Sequence, residues 1–201
     1  MMRLAAARAG AFGACLAILG AALPAGAVDI QRVVSPGGIE AWLVEEHSIP
    51  IIAVEIAFEG GGALDPRSKE GLANLLSGLL DEGAGDLDSQ AFQGRLEELA
   101  IRLGFDSYRD SFWVSLKTLT ENRDQAFALL GLALTAPRFD TDAVERVRGQ
   151  VLSGLRRDAE DPDEIAGRRF LATAFPYHPY GRPARGTPDS VAAITPADLR
   201  G

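Results

Sequence analysis

The stretch from Ile51 to Leu80 changes its hydrophobic period half-way, and that change limits what the chain can fold into. Over Ile51–Glu59 the residues alternate, with Val54, Ile56 and Phe58 on one side and Glu55 and Glu59 on the other. A period of two describes a strand with one buried face. Gly60-Gly61-Gly62 and Asp65-Pro66 then break it. After Ser68 the leucines at 72, 75, 76, 79 and 80 recur at helical spacing, and Gly83 stands where a C-terminal cap is expected.

The remaining segments read in the same way. Ile30–Val34 and Ile39–Glu45 are strands separated by the turn cluster Ser35-Pro36-Gly37-Gly38, and with Ile51–Glu59 they predict an antiparallel meander. A helix over Asp88–Ala100 is followed by a strand pair, Ile101–Phe105 and Ser111–Leu119. Glu121–Thr135 is helical and closes at Pro137, and Asp142 with Glu145 resembles a capping box that opens a long helix to about Glu160. Asp163–Ala174 is helical again, Pro176 to Pro188 is a loop with four prolines, and Thr195-Pro196-Ala197-Asp198 is a helix start.

Met1 to Ala27 has the layout of a secretory signal peptide: Arg3 and Arg8, an apolar run over residues 9–23, then Pro24 and the small residues Ala25-Gly26-Ala27. The 15-residue run is shorter than the ~20 residues a membrane span needs. Cleavage near Val28 is expected, giving a periplasmic or secreted product with no stable membrane insertion. It also removes Cys15, the one thiol. The whole chain carries 20 basic and 28 acidic residues; without Arg3 and Arg8, 18 against 28 leaves a net charge of −10. An acidic chain whose basic residues are scattered is not built for nucleic acid. With one Cys and two His in 201 residues, Cys₄, Cys₂His₂ and three-His zinc sites are excluded.

Opposite its leucines, the first helix carries Asn74, Ser77, Gly78 and Asp81, spaced i, i+3, i+4 and i+7. A helix face of this kind, after a strand and a glycine turn, is a place where metal ligands can be set. The run from Phe58 through Gly60-Gly61-Gly62, Gly71-Leu72-Ala73 and Asn74 to Leu79 resembles the insulinase/pitrilysin-type zinc metallopeptidase family, whose active members carry an inverted H-x-x-E-H motif there. The resemblance extends over about residues 30–201. It takes in Leu96-Glu-Glu-Leu-Ala-Ile-Arg-Leu-Gly104 with Trp113-Val-Ser-Leu116, Leu119-Thr-Glu-Asn122 with Ala136-Pro137-Arg-Phe139, and Arg156-Arg-Asp-Ala-Glu-Asp-Pro162. Tyr177-His-Pro-Tyr-Gly181, Gly186-Thr187 and Ile194-Thr-Pro-Ala-Asp198 complete it. What it implies is an α+β fold, an antiparallel, mostly meander sheet with helices packed on one face. It also implies that residues 28–201 form one N-terminal-like domain of chains that continue into a second.

The departures from the pattern bear on function. By the resemblance, the two motif histidines fall at Asn74 and Gly78, the catalytic glutamate at Ser77, and a third ligand at about Ser153, within a residue. Asn and Ser offer neither an anionic nor an imidazole donor, and Gly offers no side chain. Without a carboxylate at 77 no base deprotonates a metal-bound water. The chain is therefore expected to be the family's non-catalytic type, holding no cofactor itself. It would pair with an active H-x-x-E-H subunit that carries the zinc, and form part of a chamber for peptide or unfolded protein. The alternatives are a stand-alone secreted peptide-binding protein and a divergent zinc metallopeptidase with displaced ligands.

Other residues are expected to be structural. His47 after Glu45-Glu46 reads as an exposed turn, His178 as packed within the proline-rich loop, and Asp81-Glu82 as a solvated helix end. Gly60–Gly62 lacks the Lys-Ser/Thr of a phosphate loop, and Arg156-Arg157 and Arg168-Arg169 read as exposed helix faces. No G-x-S-x-G occurs, so no nucleophile is evident.

Overall fold

A computed structural model describes residues 29–200 and divides the chain into two units between Ile49 and Pro50. The expected signal peptide lies outside the described residues. In the first unit β1 (Gln31–Val34) and β2 (Glu40–Leu43) form an antiparallel hairpin. Its turn is closed by Ser35, which accepts from the Ile39 amide at 3.0 Å, and Arg32 pairs with Glu40 across the strands.

The second unit is built on a three-stranded antiparallel sheet. β3 (Ile51–Glu59) and β6 (Arg102–Ser107) flank β7 (Ser111–Leu119), in the order β3-β7-β6. The α+β class with antiparallel strands is as expected, but the connection is not a meander of the first three strands. β3 takes β7 as its partner over its whole length, from Ile51 opposite Leu119 to Glu59 opposite Ser111. The alternation explains the register. Ile56, Val114 and Phe105 line up on one face, as do Val54, Leu116 and Leu103, and both rows join the hydrophobic core. The opposite face carries Ala53, Lys117 and Arg102, then Ala57, Trp113 and Asp106. A one-residue slip would send every core residue to the polar side.

The core is completed by helices α1 (Leu72–Ser77), α2 (Ser89–Glu98), α3 (Arg123–Thr135) and α4 (Thr141–Asp158). Leu75, Phe92, Leu129 and Val144 are their buried anchors. A short ribbon, β4 (Gly83–Ala84) with β5 (Leu87–Asp88), separates α1 from α2. After α4 come α5 (Pro162–Ala174), α6 (Pro188–Ala192) and α7 (Pro196–Arg200). No residue of α5 is buried.

Three elements depart from the sequence reading. The leucine helix stops at Ser77, because Gly78 caps it and the next residues run as turns, Leu79 and Glu82 donating to Leu76 and Leu79. Gly83 therefore opens β4 instead of capping a helix. The long helix α4 begins after Asp140 with no side-chain cap, so Asp142 and Glu145 form no capping box. The box is found instead at α6, where Thr187 and Ser190 bond each other's backbone amides.

The C-terminal elements are held by side chains reaching backbone carbonyls. Arg148, almost fully buried on α4, donates to Val191 O and to Ile194 O (2.9 Å). Lys69 donates to Ala193 O and pairs with Asp198 at 2.8 Å. Lys69 and Thr195 together hold the Asp198 carboxyl down to about 2.

Arg148→Ala leaves two carbonyls without their donor, and urea unfolding should show a loss of about 2–4 kcal/mol. A carboxyl whose folded value lies below its unfolded one stabilises fully above the unfolded value, and that contribution is lost as pH falls. The stability gap between the parent chain and Asp198→Asn should therefore be constant above about pH 5 and close between about pH 4 and pH 2.

Candidate functional site

α1 is positioned from its N-terminal side. Asp65 is buried and accepts from the Gly71 amide at 2.8 Å and the Ala73 amide at 3.1 Å, satisfying donors that a helix start leaves free. Burial pushes this carboxyl up, while the backbone amides and Arg182 oppose the shift. Gly71 (φ 91°) and Gly186 (φ 80°) occur where two backbones touch. A Cβ at Gly71 would lie 2.6 Å from Arg185 O, and one at Gly186 would lie 2.3 Å from Glu70 O. Neither position has the conformation or the room for another residue.

The residues marked by the sequence lie on two packed elements. Asn74 and Ser77 are half-buried on α1, and the Ser77 hydroxyl is spent on Asn74 O at 2.9 Å. Gly78 ends the helix, and the space its Cβ would take is bounded by Val147 Cγ1 at 2.9 Å. α1 contacts α4, the helix that carries both Val147 and Ser153. Ser153 is half-buried and lies six residues, about 9 Å of helix rise, beyond Val147. Gly154, next to it, is buried, and a Cβ there would meet Arg185 Nη2 at 2.9 Å. On the α4 side, the space beside Gly78 is thus taken by a branched apolar side chain. Among the described residues no group of three or more His, Cys, Asp or Glu could hold a metal ion.

The remaining candidates are accounted for locally. Asp81 accepts from Gln93 at 3.2 Å, and burial pushes its carboxyl up. Glu82 binds Arg146 through both oxygens and is held low by it. The expected solvated helix end is instead a pair of half-buried carboxylates, Asp81 bonded to α2 and Glu82 to α4, because the helix stops early and turns them inward. His47 is exposed and lies 3.4 Å from Glu45, not Glu46. His178 Nδ1 accepts from the Tyr180 amide at 3.2 Å, and its ring packs edge-on to Tyr180. Gly60 and Gly62 donate to Asp110 O and Tyr108 O, so these amides are not available to cradle a phosphate. Sequence reasoning missed Asp65, Arg148 and the Gly154–Arg185 contact; Asp65 six residues before a helix-entry glycine was the signal available.

Comparison with known proteins decides the family. Residues 42–188 match the family model described as Insulinase (Peptidase family M16). The chain belongs to the insulinase (M16) peptidase family. It is 33% identical over 156 residues to a Helicobacter pylori protein named Non-peptidase homolog YmxG, covering 78% of this chain and 36% of that one. A crystal structure of a peptidase M16 inactive domain from Pseudomonas fluorescens superposes with a TM-score of 0.81 at 26% identity, over 86% of this chain and 42% of that one. The probable mitochondrial-processing peptidase subunit beta of Arabidopsis thaliana is 24% identical, over 82% of this chain and 31% of its own length. The chain thus spans well under half the length of these relatives. Two of those relatives are named as a non-peptidase homologue and an inactive domain, and in this chain Asn74, Ser77 and Gly78 supply neither imidazole nor carboxylate.

Placing His, Glu and His at 74, 77 and 78 should not by itself create a metal site. Asn74→His, Ser77→Glu and Gly78→His combined should bind zinc no better than the parent chain by metal analysis after dialysis, since Val147 occupies the approach to position 78. Gly78→His by itself should cost about 1–3 kcal/mol in thermal unfolding through overpacking. Stoichiometric zinc in the triple variant would show that the site survives intact.

Proposed function

We propose that the chain is the non-catalytic partner of an active insulinase-type peptidase subunit and contributes part of the wall of its peptide chamber. The observation that carries this reading is the retention of the family fold around a helix that lacks the ligands and the base. Asn74 and Ser77 lie on, and Gly78 caps, a helix whose start is held by Asp65, so the element is kept without its metal chemistry. A fold kept for packing and surface alone fits a subunit whose task is to complete a neighbour. The positions 74, 78 and 153 are read as vacated ligand positions and 77 as the vacated base. Zinc is then required only in the partner. One similar protein is itself named a subunit, of the mitochondrial-processing peptidase.

The sheet supplies a surface for an extended substrate. β6 pairs only with β7 among the described strands, so its other edge has no strand partner among them, the feature strand addition needs. The same edge would serve a stand-alone secreted peptide-binding protein, the second reading. The leader-like segment at residues 1–27 supports a periplasmic or secreted setting for either.

Co-expression with an H-x-x-E-H homologue from the same source separates the two readings. Peptide hydrolysis is expected only when both chains are present, with co-purification of the pair. Full hydrolysis by the homologue alone would overturn the pairing, and retention of extended peptides by this chain alone would favour the second reading.

A further inference from the structure

A cavity of about 630 Å³ opens between the C-terminal half of α4, the α5 helix and the loop from Gly181 to Pro188. This size is ordinary for a small-molecule or side-chain pocket. Leu155, Ala159, Leu171, Ala172, Pro183 and Ala184 give it apolar walls. Five arginines, at 109, 156, 168, 182 and 185, also line it, against two acids, Asp158 and Glu164. That is a local excess of three positive charges on a chain whose total is −8.

The arginines are not equivalent. Arg109 donates to Tyr180 O and Arg182 O, and Arg182 donates to Ala63 O and Asp65 O, so these two hold the loop in place. Arg185 is paired with Asp158 and lies against Gly154. Arg168 spends one N–H on the Asp158 carbonyl at 3.1 Å, which leaves four of its five donors. Arg156 makes no side-chain hydrogen bond or ion pair to any of the described residues. Asp158 thus neutralises Arg185, while Arg156 and Arg168 line the cavity with donors not spent on the described residues. Two planar guanidinium groups beside an apolar wall suit a carboxylate attached to an apolar body.

We propose that this pocket binds such a carboxylate, with Arg156 and Arg168 taking the charged group and Leu155 and Leu171 the apolar part. The C-terminal residue of a peptide and a free small carboxylic acid share this chemistry. The site uses residues of this chain alone and does not depend on pairing with a catalytic subunit.

Calorimetric titration of the purified chain with N-acetyl-Ala-Ala-Leu as the free acid, with its C-terminal amide and with hexanoate tests the assignment. Saturable binding of the free acid is expected, at least about tenfold tighter than the amide and weakened by salt. In the Arg156→Ala/Arg168→Ala double variant, binding should fall at least about tenfold with thermal unfolding unchanged, since both side chains are exposed. Arg156→Lys/Arg168→Lys keeps the charge and should recover part of the affinity. Hexanoate binding as well as the tripeptide acid assigns the pocket to free carboxylic acids; much weaker hexanoate assigns it to peptide termini. Equal binding of acid and amide, binding undiminished in the alanine double variant, or no binding of either carboxylate would overturn the proposal.

Discussion

Two backbones meet where the loop ending at Gly71 crosses the segment running from Arg182 to Asp198, and the placement of α1 follows from that contact. Gly71 faces Arg185 O and Gly186 faces Glu70 O, so closely that only a residue without a Cβ fits. Around them, side chains from one segment satisfy the backbone of the other. Arg182 reaches Ala63 O and Asp65 O, Ser190 reaches Glu70 O, and Lys69 reaches Ala193 O and Asp198. The segments are more than a hundred residues apart in sequence, and most of these paired polar groups are partly buried. A carbonyl deprived of its donor there costs more than an average hydrogen bond gains, which makes the contact cooperative.

This arrangement holds α1 in place through contacts of the chain itself. In a metal site, ligands on two helices hold those helices together through the ion. Here α1 is held by Asp65 at its start and by packing on α4 at its end, where Gly78 admits Val147. Nothing in that scheme needs a ligand at 74 or 78. With this apolar contact at its end, α1 stops at Ser77 and Gly78 serves as its cap.

Elements with strong periodicity were legible in the sequence. β7 occupies the span its alternation marks, Ser111–Leu119, and α3 and α5 end at the expected Thr135 and Ala174. Strand partners were not legible, because Ile51–Glu59 carries the same alternation whether it pairs with β2 or β7; only the burial of Val114 and Leu116 between two neighbours distinguishes them. The early end of α1 was hidden for a related reason. Leu79 and Leu80 continue the helical spacing while Gly78 stops the helix, and both leucines reach the core from turns. Positions 74, 77 and 78 were legible as residue types, but their surroundings were not. The contact of Val147 with Gly78 comes from an element about 70 residues away, and no local pattern announces it.

The arginine-lined pocket shows how the same frame is used twice. Arg109 and Arg182 fix the 181–188 loop by binding carbonyls, a role that requires several donors in one plane and that lysine would fill poorly. Once the loop is fixed, Arg185 is directed to Asp158 and to the empty side of Gly154. A residue with a side chain at 154 would displace that guanidinium, so the glycine on α4 and the charge distribution in the pocket are one structural fact. The space beside the two glycines is thus taken by different neighbours, Val147 of α4 at Gly78 and the Arg185 guanidinium at Gly154.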